Sequence, residues 1–218
     1  MSEPDAALRP AEGFVDSEVA AEFPGLRLQW ATADGRRRRS PQPVLRSLQH
    51  VANRYRGASV VAMRTKPVPQ AYRAFFRQIG LDPDVQRIPS ERAALARLVQ
   101  GGFRSVDLIT DACLIALIET GVPVTALDAD GVDAGGLGIR PAVPGDIERG
   151  TVDRGRLEPG TLAVADRRMV HAPLFGDPMA GHGPGAATER VTLYTVGVDG
   201  VPAIHLEEAL WIVLELLG

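Results

Sequence analysis

Residues 126–146, ALDADGVDAGGLGIRPAVPGD, set four aspartates around a single arginine, Arg140, in a run rich in glycine and proline. Carboxylates spaced this way raise the chemistry of a calcium loop, and the glycines that of a phosphate cradle. An EF-hand loop counted from Asp128 needs an acidic or amide ligand fifth and glycine sixth, where this chain has Val132 and Asp133. A phosphate loop needs its glycines between a strand and a helix N-terminus with Lys-Ser or Lys-Thr nearby, whereas these lead into GLGIRPAV, which reads as another strand. The residues themselves then specify a turn, free at Gly131, Gly135 and Gly136, feeding a strand that Pro141 confines to an edge or a bulge.

A second stretch, HAPLFGDPMAGHGPGAAT at 171–188, carries His171, Asp177 and His182 close in sequence to Asp166. The interval between its histidines runs through Pro173, Pro178 and several glycines and matches no short metal-ligand spacing, so no metal is assigned. The histidines read as loop residues with ordinary roles, or, in the case of His171 at the end of a strand, as a polar group lining a pocket. The one cysteine, Cys113, lies in an apolar helix without a basic neighbour and reads as a packed side chain.

Charge gives the third signal. The net charge of -3 hides an asymmetry: residues 1–80 hold 13 Lys or Arg against 7 Asp or Glu, and between Asp34 and Asp82 there is no acidic residue. The run Arg36, Arg37, Arg38 and Arg39, followed by Arg46, Arg54 and Arg56, would attract a phosphate backbone. The competing reading is a solvated basic face whose partner is the chain's own acidic half. A length of 218 residues with 45% hydrophobic content suffices for a real core, and a single cysteine excludes an internal disulfide framework. The amino terminus lacks a signal-peptide pattern, and the longest apolar run, ALWIVLELLG, is shorter than the roughly 20 residues of a bilayer span; a cytoplasmic protein without membrane insertion is expected.

The elements that must position these residues follow from periodicity. FVDSEVAAEFPG, PQPVLRSLQHVANRYRG, PQAYRAFFRQIG and PSERAALARLVQGG read as helices, the last with Ser90 as N-cap. LITDACLIALIETG is apolar nearly all round and reads as a buried helix ending at Gly121. LRLQWATA, ASVVAM, GLGIRPAV, GTLAVAD, MVHAPLF and RVTLYTVGV read as strands, and HLEEALWIVLELL as a closing helix. Helices first and strands later, without strict alternation, predict an α+β fold.

The order of motifs adds a resemblance. GGFRSVDLITDACLIALIETGVPVTALDAD is similar, at Gly102, Arg104, Ser105, Asp111, Glu119, Gly121, Pro123, Ala126 and Asp128, to a segment of the phenylalanyl-tRNA synthetase beta subunit. The likeness continues through Gly136, Arg140, Ala142 and Gly145 and through Thr161, Leu162 and Asp166, so that it covers residues 90–196. The resemblance implies a single domain over 1–218 of the B3/B4 type, which also occurs as a stand-alone protein: a layered β/β/α sandwich with a basic, helical N-terminal part and a C-terminal helix. It implies tRNA or aminoacyl-tRNA as partner and hydrolytic editing of a mischarged aminoacyl ester, or binding of RNA or a free amino acid without turnover. No cofactor, metal, membrane or DNA is expected. Carried over residue by residue, Asp146 and His171 would be catalytic; Thr125, Asp128, Arg140, Ala172 and Phe175 would hold the substrate. The chain departs from the pattern at Leu114 in place of Asn, Thr125 in place of His, and Asp146 in place of Glu.

Overall fold

A computed structural model describes residues 10–54, 65–148 and 157–218. It is an α+β fold of two four-stranded sheets and seven α-helices among the described residues. The chain opens with two very short strands, β1 (Ala11–Glu12) and β2 (Phe14–Val15), then α1 (Ser17–Glu22), β3 (Arg27–Asp34), α2 (Gln42–Arg54), α3 (Pro67–Gln78), α4 (Pro89–Gln100) and α5 (Leu108–Thr120). Next come β4 (Val124–Asp128), a 3-10 turn (Ala129–Gly131), β5 (Gly138–Pro141), α6 (Pro144–Glu148), β6 (Leu162–Ala165), β7 (Val170–Pro173), β8 (Arg190–Gly197) and α7 (Ala203–Leu217).

The first sheet has the order β1-β3-β8-β4, all antiparallel, and the second β2-β5-β6-β7, with only β2–β5 parallel. The chain changes sheets at Gly13, where an added Cβ would fall 2.5 Å from the Leu137 carbonyl oxygen. The eight residues of β8 pair with β3 along their whole length, Arg27 opposite Gly197 through Asp34 opposite Arg190, and with β4 on the other side. From Val191 to Gly197 every β8 residue is buried, as a central strand covered on both faces requires. Helix α7 covers one of those faces. Leu206 crowds Gly197, while Leu210, Val213 and Leu217 are buried with it, each worth about 1.5–3 kcal/mol of transfer free energy. Helix α5 packs between α7 and α2 and also reaches β4.

Most of the expected elements that fall on described residues are present. Helix α4 starts at Pro89 with Ile88 as N-cap; Ser90 lies inside its first turn, and its buried Oγ has no hydrogen-bond partner among the described residues, so the capping role expected of Ser90 is not met. Pro89 sets the start because its fixed φ suits the first helical position and it has no N–H to satisfy. Strand β4 is not among the expected elements, nor are β1 and β2, which make the N-terminal part mixed instead of helical. The expected strand ASVVAM lies outside the described residues. Pro141 behaves as read: β2 pairs only with Gly138 and Ile139, so β5 is an edge on that side at Arg140 and Pro141.

The run 126–146 is the connection from the first sheet to the second. Asp128 caps the 3-10 turn by accepting from the Asp130 N–H at 3.1 Å, and the Asp133 N–H is tied to Asp166 at 2.9 Å. Gly136, at φ +82°, passes beneath the Trp30 indole, where a Cβ would fall 2.5 Å from the ring. Only glycine meets both demands.

Candidate functional site

A cavity of about 640 Å³ opens between α5, the β4–β8 end of the first sheet and the loop that follows β7. The sequence builds its apolar side from a helix that is apolar all round. With Ile115 and Ala112 turned into the core, Ile109, Cys113, Leu114 and Leu117 remain to face the cavity. The sheet contributes Thr125 and Tyr194, which are opposite one another in register, and Val196. The Tyr194 ring is buried, its hydroxyl pushed well above the ordinary phenol value by burial and hydrogen-bonded to Thr125, with Asp177 adding to the rise. Burial pushes the Cys113 thiol up to about 12, with Asp107 adding to the effect.

Three charged side chains stand at this cavity: Arg37, Arg92 and Asp177. Arg37 donates to Asp107 at 3.0 Å and is half exposed, and Arg92 reaches the Phe175 carbonyl at 3.4 Å. Asp177 is exposed. Phe175 is the one described non-glycine residue with positive φ, at 60°, a conformation that costs an L-residue roughly 1–2 kcal/mol. Its ring is held by Tyr72, Phe75 and Phe76 of α3 at centroid distances of 5.5, 6.0 and 5.4 Å. The aromatic cluster offsets the backbone strain and fixes the start of the loop.

The structure separates the expected site residues. Thr125 and Phe175 line the cavity, joined by Arg37 from the arginine run. Arg140 and Asp146 are not in its wall. They grip each other through two hydrogen bonds of 2.7 and 2.9 Å, and Asp146 also accepts from the Val143 N–H, so the carboxylate ties the end of β5 to the start of α6. These bonds raise the Arg140 guanidinium further above its ordinary value, burial opposing them. The shorter aspartate thus still makes a direct contact. Ala172 is fully buried within β7, opposite Val164. Asp128 is bound by the Thr188 hydroxyl, and its N–H donates to the His182 carbonyl at 2.9 Å, tying β4 to the loop.

His171 belongs to a chain of side chains outside the cavity wall, buried at Asp166 and His171 and half-buried at His182. Its Nε2 is 2.9 Å from Asp166 Oδ2 and its Nδ1 is 3.0 Å from His182 Nδ1. Burial works to raise the Asp166 carboxyl, but hydrogen bonds from His171 and from the Asp133, Met169 and Arg168 N–H groups outweigh it and hold the group below its ordinary value. Among the described residues no set of three or more His, Cys, Asp or Glu side chains is arranged to hold a metal.

Of the other arginines, Arg36 pairs with Glu189 at 2.7 Å and Arg54 with Glu119 at 2.7 Å, while Arg38, Arg39 and Arg46 are exposed. Arg56 lies outside the described residues. Among the described residues no helix is long and apolar enough to cross a membrane. Sequence reasoning missed Arg92, Tyr194 and the link between the two histidines. Arg92 is one arginine among many in an ordinary helix, and Tyr194 reaches Thr125 only through strand pairing. No family model matches this chain, and no curated protein matches it.

Proposed function

We propose that the cavity binds the amino acid or aminoacyl end of a tRNA, within a cytoplasmic domain of the B3/B4 type. The observation that carries this reading is the cavity itself: an apolar wall from α5 with two arginines and one aspartate beside it. An α-amino acid needs a cation for its carboxylate, an anion for its ammonium group and an apolar recess for its side chain. An aminoacyl ester lacks the free carboxylate, but its nucleotide brings phosphates that the same arginines suit. Helices on one side of the first sheet and the second sheet joined to it through β1 and β2 agree with a layered sandwich of that type.

Binding without turnover is the first reading, since the apolar wall and the three charged side chains at the cavity suffice to hold an amino acid. Ester hydrolysis is a second reading, favoured by the Thr125 and Tyr194 hydroxyls, which lie where they could orient a water or meet a developing oxyanion. Calorimetric titration with phenylalanine and tyrosine, repeated on Arg92→Ala and Asp177→Ala, tests the binding site. Saturable binding that weakens about tenfold in either variant is expected, because each substitution removes one charge-assisted hydrogen bond to the ligand. No binding of free amino acid or of aminoacyl-tRNA would sink it. Release of amino acid from mischarged tRNA above the buffer rate, abolished in a Thr125→Val/Tyr194→Phe variant, would select the hydrolase.

A further inference from the structure

The loop that follows β7 is rich in glycine and proline, yet it forms one wall of the cavity through Gly181, Gly183 and Pro184. Such a segment cannot hold a shape by its own propensities. It is held at Met179, whose N–H donates to the His171 carbonyl at 2.8 Å and whose side chain is buried against the second sheet, and at His182, whose N–H donates to Met179 at 2.9 Å. The only side-chain bond between His182 and the body of the protein among the described residues is that to His171.

We infer that the His171–His182 contact is a proton-sensitive clasp that positions this wall of the cavity, closed when at least one of the two Nδ1 atoms is unprotonated and released when both carry a proton. With Asp166 ionised, His171 donates from Nε2 to Oδ2. Its Nδ1 is then free to accept, and His182 donates from Nδ1. One added proton still leaves one of the two Nδ1 atoms able to accept, so the contact survives. A second places two N–H groups head to head across 3.0 Å, between rings only 5.0 Å apart, and the bond cannot persist.

The charged groups around the pair set the range. From the second sheet come His171 itself, Asp166, and Arg140, whose charge acts on Asp166. From β4 comes Asp128, its carboxylate occupied by the Thr188 hydroxyl and the Asp130 N–H. Burial and then His171 lower the His182 imidazole below its ordinary value of about 6.5, with Asp166 opposing. Because the closed form disfavours the second proton, its stabilisation is present above that ordinary value and is lost as pH falls through the lowered one.

Amide exchange between pH 7.5 and 5, corrected for intrinsic rates, tests the clasp at the Asp128, Met179 and His182 N–H groups, with β8 amides as the reference for global unfolding. Their protection should fall by about tenfold per pH unit once the second proton binds, while β8 stays protected. His182→Asn, whose amide can still donate to His171 but does not titrate, should remove the pH dependence. His182→Ala should leave the three amides weakly protected even at pH 7.5. Equal pH slopes in the wild type and His182→Asn, or full protection in His182→Ala at pH 7.5, would overturn the inference. Should the Ala variant not fold, the Asn variant decides alone.

Discussion

Asp111 is a carboxylate whose partners are all within the fold. It is fully buried and accepts from the Ser40 hydroxyl at 2.6 Å, the Ser105 hydroxyl at 2.5 Å and the Val106 N–H at 3.0 Å. These bonds tie the end of the arginine loop and the approach to α5 to one point in the helix. The Leu108 N–H bond to the Arg38 carbonyl at 2.8 Å adds a backbone tie at the same place. Asp111→Ala strands the buried Ser40 hydroxyl and breaks two further, part-buried bonds, and should cost about 1–3 kcal/mol, read as a lower urea midpoint with an unchanged slope. A cost below about 1 kcal/mol would mean that water replaces the carboxylate and that the loop is held elsewhere.

At the scale of elements, what the sequence makes legible divides by the range of the interaction. Helix α5 is readable because Asp107 caps it, Gly121 ends it at φ +79° and nearly everything between is apolar, all signals local to the chain. Strand β4 is five residues long, and its case rests on β8, which lies far along the chain, so nothing near it in sequence announces it. The two-residue strands β1 and β2 are too short to show any alternation. The candidate site divides the same way. Thr125 and Phe175 fall at the cavity, but Arg140 and Asp146, on either side of the sheet-to-helix corner at Ala142–Gly145, are used to fasten it. Asp146→Ala should therefore destabilise the fold by about 1–3 kcal/mol through the stranded Val143 N–H and the unpaired guanidinium. It should leave amino acid affinity within about twofold, as expected of separate sites. Thermal melts and calorimetry on one preparation separate these effects; weakened affinity at unchanged stability would return the pair to the binding site.

For the whole molecule, the uneven charge of the sequence is partly spent on ion pairs within the chain. Basic side chains from the N-terminal half reach acidic partners far along the chain: Arg36 to Glu189, Arg37 to Asp107 and Arg54 to Glu119. Exposed pairs of this kind add little stability, but they spend part of the basic potential inside the protein. Arg38, Arg39 and Arg46 have no ion-pair partner among the described residues, and the loop carrying the first two runs directly on from Arg37 at the cavity. A polyanion drawn to that loop would thus bring its end to the cavity's charged residues. If RNA is the partner, replacing Arg38, Arg39 and Arg46 with Gln should flatten the salt dependence of binding, by roughly 0.7 in log–log slope for each phosphate no longer neutralised. Replacing Arg36 and Arg54 should change the slope less, because Glu189 and Glu119 already compete with phosphate for those guanidinium groups. Fluorescence anisotropy with a single-stranded RNA across a salt series measures both; equal effects from the two sets would show that the internal ion pairs do not govern the surface.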